Sequence, residues 1–169
     1  LITYGKKLMI KHILLSFALT LSVVIAKDDP KAKTITCVVS GDEINKNELK
    51  DHDFSKYRDG KVYFCCGGCK MDFDESPKKF AAKANFQLVT SGQYTQTACP
   101  VNKGKIHTAK AKKNLKKVTV NGMEVDLCCP GCLKKYNKAD DKFALIFSDK
   151  GYEKGFASKD AQKTKSKPK

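Results

Sequence analysis

The sequence predicts a small α+β protein built from two tandem copies of one module, each a β-hairpin, a cysteine-bearing turn and short helices. Three observations predict it. The 169 residues hold eight cysteines and no tryptophan. The cysteines form two matching sets, one cysteine followed at a distance by Cys-Cys-x-x-Cys: Cys37 with Cys65, Cys66 and Cys69, then Cys99 with Cys128, Cys129 and Cys132. The opening cysteine precedes the pair by 28 positions in one set and 29 in the other, an internal repeat offset by about 62 residues. The third observation is a thin apolar inventory. From Lys27 onward, 52 of 143 residues are apolar, and eight of those are cysteines. Half of that per unit is in the size range where metals or disulfides supplement packing, and it excludes a large catalytic α/β domain.

Residues 1–26 read as a signal peptide. Met9-Ile10-Lys11-His12 is a basic start, Ile13 to Ile25 is apolar apart from Ser16, Thr20 and Ser22, and Val24-Ile25-Ala26 offers small residues for cleavage before Lys27-Asp28-Asp29. About 13 apolar-rich residues fall short of the roughly 20 that a helix needs to span a membrane, so no transmembrane span is expected after cleavage. Residues 1–8 precede Met9 and read as a gene-start artefact. The expected destination is secreted or periplasmic, and the chain that remains carries 30 basic against 18 acidic residues, a net charge near +12.

The first module is expected over residues 34–83 and the second over 99–150, with 84–98 as a linker. Asp59-Gly60 and Asn121-Gly122 suit tight hairpin turns, which need positive φ. Val118-Thr119-Val120 and Val125-Asp126-Leu127 alternate as strands do, and Lys61-Val62-Tyr63-Phe64 is the counterpart of the later strand. Helices are expected to follow each cysteine cluster, around Lys70–Phe73 and Leu133–Tyr136. Ser76-Pro77 is expected to start a second helix in the first module, and Asp140 or Asp141 to cap its equivalent. Phe64, Phe73, Phe80, Leu127, Tyr136 and Phe143 are the expected apolar residues of two small cores. Residues 158–169, with five lysines, read as a disordered tail.

Cysteines four apart at a helix start point their sulfurs the same way, and the helix N-terminus favours thiolates. Cys66 with Cys69, and Cys129 with Cys132, form the alternative Cys-x-x-Cys knuckle. Cys37 or Cys99 would complete a thiolate cluster from the opening loop, a donor set that suits Zn²⁺ or Cu⁺. In an exported chain the competing reading is disulfides, giving a stapled, non-catalytic module on the cell envelope. Adjacent cysteines each need a different partner, and three cysteines within five residues are denser than a staple requires.

Cys99-Pro100-Val101, the hairpin ending Tyr63-Phe64-Cys65, the run Cys65-x-x-x-Cys69-Lys70, the helical Phe73 and Pro77-x-x-Phe80 together resemble the TRASH/YHS-type heavy-metal-binding domains. The resemblance covers residues 37–83 and 99–145. It implies a treble-clef-like fold and binding of a transition metal by Cys37, Cys65 and Cys69, and by Cys99, Cys128 and Cys132. The gap after the opening cysteine is longer than that family's. Cys66 and Cys129 add a fourth thiol, which can complete a tetrahedral zinc site or serve as a redox partner.

Other features point less sharply. His52 and His107 lie at unmatched distances from their opening cysteines and read as loop residues exposed to water. Met71 and Met123 are expected to pack. Neither Cys-x-x-Cys is followed by histidine, so covalent haem is not indicated, and a thioredoxin-like unit needs a longer βαβ context. The run from Lys103 to Lys117 has seven lysines and no acid. It lacks interleaved aromatics, and Arg58 is the chain's one arginine, so nucleic acid is not an expected partner. A solvated loop, or attraction to an anionic envelope surface, is the expectation there. No nucleophile–base pair, paired carboxylate or phosphate loop is legible, so catalysis is not expected.

Overall fold

The computed structural model describes residues 33–160. The expected signal peptide, residues 1–26, lies outside them, as do residues 161–169 of the expected tail. The described chain is a small α+β structure of short antiparallel sheets and short helices. Strands β1 (Thr34–Thr36) and β2 (Glu43–Asn45) flank the first opening loop, and β3 (Phe54–Tyr57) and β4 (Gly60–Tyr63) form the first hairpin. Helix α1 (Gly67–Glu75), a 3-10 turn at Pro77–Phe80 and α2 (Ala81–Thr90) follow. The second half comprises β5 (Tyr94–Gln96), α3 (Ala109–Asn114), the hairpin β6 (Lys116–Val120) and β7 (Met123–Leu127), then α4 (Pro130–Lys138), α5 (Lys142–Phe147), α6 (Asp149–Gly155) and β8 (Phe156–Ser158). Each described sheet has two strands. A two-stranded sheet cannot cover a core alone, so the helices must close it.

The two opening loops have one design. The Cys37 N–H donates to the Asp42 carbonyl at 2.7 Å, and the Gly41 N–H returns to the Cys37 carbonyl at 3.0 Å. In the second module the Cys99 N–H donates to the Gly104 carbonyl at 2.9 Å, and the Lys103 N–H to the Cys99 carbonyl at 2.7 Å. Both turns reverse through a left-handed residue, Gly41 (φ 88°) and Lys103 (φ 63°). Glycine enters that region freely, whereas Lys103 bears a steric cost that the two loop hydrogen bonds offset.

The hairpins agree with the sequence expectation in the second module and depart from it in the first. Asn121 (φ 48°) and Gly122 (φ 81°) make the expected turn between β6 and β7. In the first hairpin Tyr57 pairs with Gly60, so the turn is Arg58-Asp59, one residue earlier than expected, with Arg58 at φ 53°. Gly60 is instead a close-approach residue: a Cβ there would lie 2.8 Å from both the Leu88 and Gln93 side chains. Asp-Gly was a turn signal for the wrong reason.

The segment 84–98, expected as a linker, is ordered and partly buried. Its helix α2 buries Ala84, Asn85, Gln87 and Leu88 and touches β1, β4, β5, α5 and α6. Its strand β5 pairs with β8, Tyr94 opposite Ser158, which carries the second module past residue 150 and places Ser158 in a strand rather than in the tail. The expected two cores are one. Phe64, Phe73, Leu127 and Tyr136 are buried as expected, with Phe80 and Phe143 packed against them. An aromatic chain from Phe86 to Phe143 and Phe147, and on to Phe156, Tyr152 and Tyr94, runs through the junction with ring centroids 5.0–5.6 Å apart. Polar groups lock the same junction. The Asn85 amide donates to the Phe147 carbonyl at 2.9 Å and to Asp149 at 3.0 Å, and Arg58 reaches Asn85 at 2.9 Å and Asp149 at 2.6 Å.

Candidate metal centres

Each module brings three sulfurs together: Cys37, Cys65 and Cys69 in the first, Cys99, Cys128 and Cys132 in the second, all within 4.8 Å of one another. Three separate elements supply them. The opening loop presents the first cysteine, the end of the hairpin the second, and the first turn of α1 or α4 the third. Sulfur–sulfur separations are 3.6 Å for Cys65–Cys69 and 3.7 Å for Cys128–Cys132. A disulfide needs about 2.05 Å, so these are free thiols, as are the other four. Cys37, Cys69, Cys99 and Cys132 are buried, while Cys65 and Cys128 are half-buried.

Cys66 and Cys129, the remaining two candidates, are not members of these three-sulfur sets. They are the N-cap residues of α1 and α4, with extended backbone (φ −157° and −164°). Cys129 Sγ lies 3.6 Å from Cys132 Sγ. Cys66 is exposed and Cys129 half-buried.

A polar residue in the opening loop braces the middle sulfur of each set. Ser40 Oγ lies 3.3 Å from Cys65 Sγ and accepts the Asp42 N–H at 3.3 Å. Asn102 Oδ1 accepts from Cys128 Sγ at 3.1 Å and from the Gly104 N–H at 2.8 Å. Asp42 adds a carboxylate oxygen 3.5 Å from Cys65 Sγ, where the second module has Gly104. A Cβ at Gly104 would lie 2.5 Å from Cys128 Sγ. Neither brace was among the sequence candidates. The signal was a hydrogen-bonding residue three positions after each opening cysteine.

A second support also escaped the sequence. The buried Gln87 amide accepts the Tyr63 N–H at 2.7 Å and donates to the Tyr63 and Thr36 carbonyls at 2.8 and 2.9 Å. Gln96 accepts the Asp126 N–H at 2.9 Å and donates to the Asp126 and Ala98 carbonyls at 2.6 and 3.0 Å. Tyr63 and Asp126 each lie two residues before the second cysteine of a set, and Thr36 and Ala98 one before the first. Both glutamines therefore clamp the hairpin to the opening loop, Gln87 from α2 and Gln96 from β5.

The thiols divide in their acidity. Burial raises Cys37, yet hydrogen bonds from Ser40 and from the Cys65, Ser40 and Val39 backbone outweigh it and bring the thiol down to about 7. The Ser40 hydroxyl lowers Cys65, but burial and the Cys69 and Cys37 sulfurs hold it up at about 12. Burial raises Cys69, Cys128 and Cys132, and neighbouring sulfurs contribute. The N-cap thiols go the other way. The Cys69 N–H lowers Cys66, and the Cys132 N–H lowers Cys129. Crowded sulfurs share protons because several adjacent negative charges repel, and a bound cation removes that penalty.

The other sequence candidates fall outside both sets. His52 is half-buried rather than free in water, its Nδ1 3.1 Å from the Phe64 carbonyl, beside Cys65. His107 is exposed, with Nε2 3.3 Å from the Gln96 carbonyl. Met71, expected to pack, is 66% exposed. Within the lysine run the chain forms α3 rather than a continuous loop, with the Thr108 hydroxyl accepting the Ala111 N–H at 3.1 Å. Among the described residues no helix is long and apolar enough to cross a membrane. Comparison with known proteins gives no match to a family model, a curated protein or a solved structure.

Proposed function

We propose that this chain is an exported, non-catalytic metal-binding protein that holds one thiophilic transition ion, Zn²⁺ or Cu⁺, in each of two TRASH/YHS-like, treble-clef-like modules. The convergence of three cysteines from three elements, twice over, carries the reading. Two sulfurs each about 2.3 Å from one zinc ion at the tetrahedral angle lie about 3.8 Å apart. The 3.6 and 3.7 Å pairs sit close to that spacing before any ion is added. Three thiolates leave one tetrahedral position open on zinc, or complete a trigonal copper site. The half-buried Cys65 and Cys128 put an edge of each site near solvent, which suits exchange of the ion as cargo or signal.

The test is metal analysis of the chain from Lys27 onward, purified reduced and without chelator. About two ions per chain are expected, with Cys69→Ser plus Cys132→Ser holding none. No ion in the wild-type protein, together with no free thiol in denaturant, would overturn the proposal in favour of a disulfide-stapled module.

A further inference from the structure

Each module holds four cysteines, but three make the metal set, and the fourth has a definite position. Cys66 and Cys129 each begin a helix, and each is three residues before the helical member of its set, Cys69 or Cys132. Cys129 Sγ is already in contact with Cys132 Sγ at 3.6 Å. The intervening residues, Gly67-Gly68 and Pro130-Gly131, leave the outer sulfur uncovered: a side chain at Gly68 or Gly131 would stand against it, 3.9 Å from Cys66 Sγ or 3.7 Å from Cys129 Sγ. We propose that Cys66–Cys69 and Cys129–Cys132 are thiol–disulfide exchange pairs that share one sulfur with the metal set, so that a low-molecular-weight organic disulfide discharges the ion.

The chemistry follows from which sulfur stays free. With an ion held by Cys99, Cys128 and Cys132, Cys129 keeps an unengaged lone pair and an open approach. Its thiolate, having given its proton to solvent, attacks one sulfur of the organic disulfide. An S–S bond forms to the protein and the other half leaves as a thiolate. Cys132 Sγ then leaves the ion and attacks Cys129 Sγ, expelling the second thiolate. Two protein sulfurs have been oxidised by two electrons, one organic disulfide has become two thiols, and the ion, with two ligands left, dissociates without changing its own oxidation state. The first module repeats the sequence with Cys66 and Cys69. A reducing thiol reverses it.

The release step rests on the metal-binding reading, whereas the exchange step does not. The experiment therefore treats two samples of the full chain with oxidised glutathione, one loaded with zinc and one stripped. Peptide mapping under non-reducing conditions is expected to find Cys66–Cys69 and Cys129–Cys132 in both. The loaded sample should release about two zinc ions to a colorimetric indicator as the bonds form. Serine is a favoured N-cap, so Cys66→Ser plus Cys129→Ser should fold and load zinc, yet release it at least about tenfold more slowly. Release from that variant at the wild-type rate, or bonds mapped to Cys65–Cys69 and Cys128–Cys132, would overturn the proposal. Failure of zinc to load with the expected bonds still forming would sink the metal reading and leave the exchange pairs standing.

Discussion

The two modules assemble equivalent sets of three sulfurs from the same three elements, yet the parts that hold the opening loop in place come from opposite directions along the chain. In the first module the glutamine clamp follows the cysteines, on α2. In the second it precedes them, on β5. The bracing residue also differs, Ser40 beside the carboxylate of Asp42 in one and Asn102 beside Gly104 in the other. A three-sulfur site therefore requires the loop, the hairpin end and the helix start as local repeats, but its clamp only has to reach two backbone groups. Any segment passing at the right distance can supply it, and the stretch between the modules supplies both.

Removing one module's opening cysteine asks most directly whether the sites are separate. Cys37→Ser is expected to lower the bound metal from about two ions to about one, and Cys99→Ser to do the same at the other site, with native mass spectrometry as the readout. Loss of both ions from either variant would mean that the sites depend on each other through α2. A narrower contrast concerns the loop position after the brace. Gly104→Ala pushes a methyl group against Cys128 Sγ and should weaken the second site by about tenfold or more, the usual scale for disturbed ligand support. Asp42→Ala at the equivalent position keeps its Cβ and should leave first-module loading in place. Metal titration of each variant, with the other module disabled, decides this.

The clamps should differ in their effect on stability. Gln87 is buried and Gln96 half-buried. Gln87→Ala removes the buried side chain that pairs one N–H and two carbonyls and should cost about 2–4 kcal/mol, while Gln96→Ala admits water and should cost about 1–2 kcal/mol. Urea melts of the two variants would show whether burial sets that order. The smallest effect is at the junction. Burial raises the Asp149 carboxyl, but hydrogen bonds from Asn85 and Arg58 outweigh this and hold it below the ordinary 3.8. Its stabilising contribution is therefore present above that value and lost as pH falls through the lower native one. The Asp149 side chain is 55% exposed. Asp149→Asn should thus cost less than about 1 kcal/mol at neutral pH and flatten the acid end of the stability profile.

Local chemistry was legible in the sequence. Asn121-Gly122 turns where expected because two left-handed residues in a row suit that pair. Asp141 caps α5, accepting the Ala144 N–H at 2.8 Å, because its short side chain reaches that donor. Helices α1 and α4 contain the expected Lys70–Phe73 and Leu133–Tyr136 but begin three residues earlier, inside the cysteine clusters. The strands β1, β2, β5 and β8 were not legible. Each has three residues, too few for alternation to register, and β5 finds β8 60 to 64 positions away. Nor was the helix within 84–98, expected as a linker, whose Asn85 and Gln87 are buried against partners far along the chain.

By itself the sequence determined the repeat, the two sets of cysteines and the local turns and helices around them, because spacing, backbone preference and helix periodicity act over a few residues. The tertiary structure decided which three sulfurs meet, that Cys66 and Cys129 remain at the helix caps, and that the two modules share one core. Those outcomes depend on where α2 and β5 pack, and packing is a property of surfaces that meet only once the chain has folded.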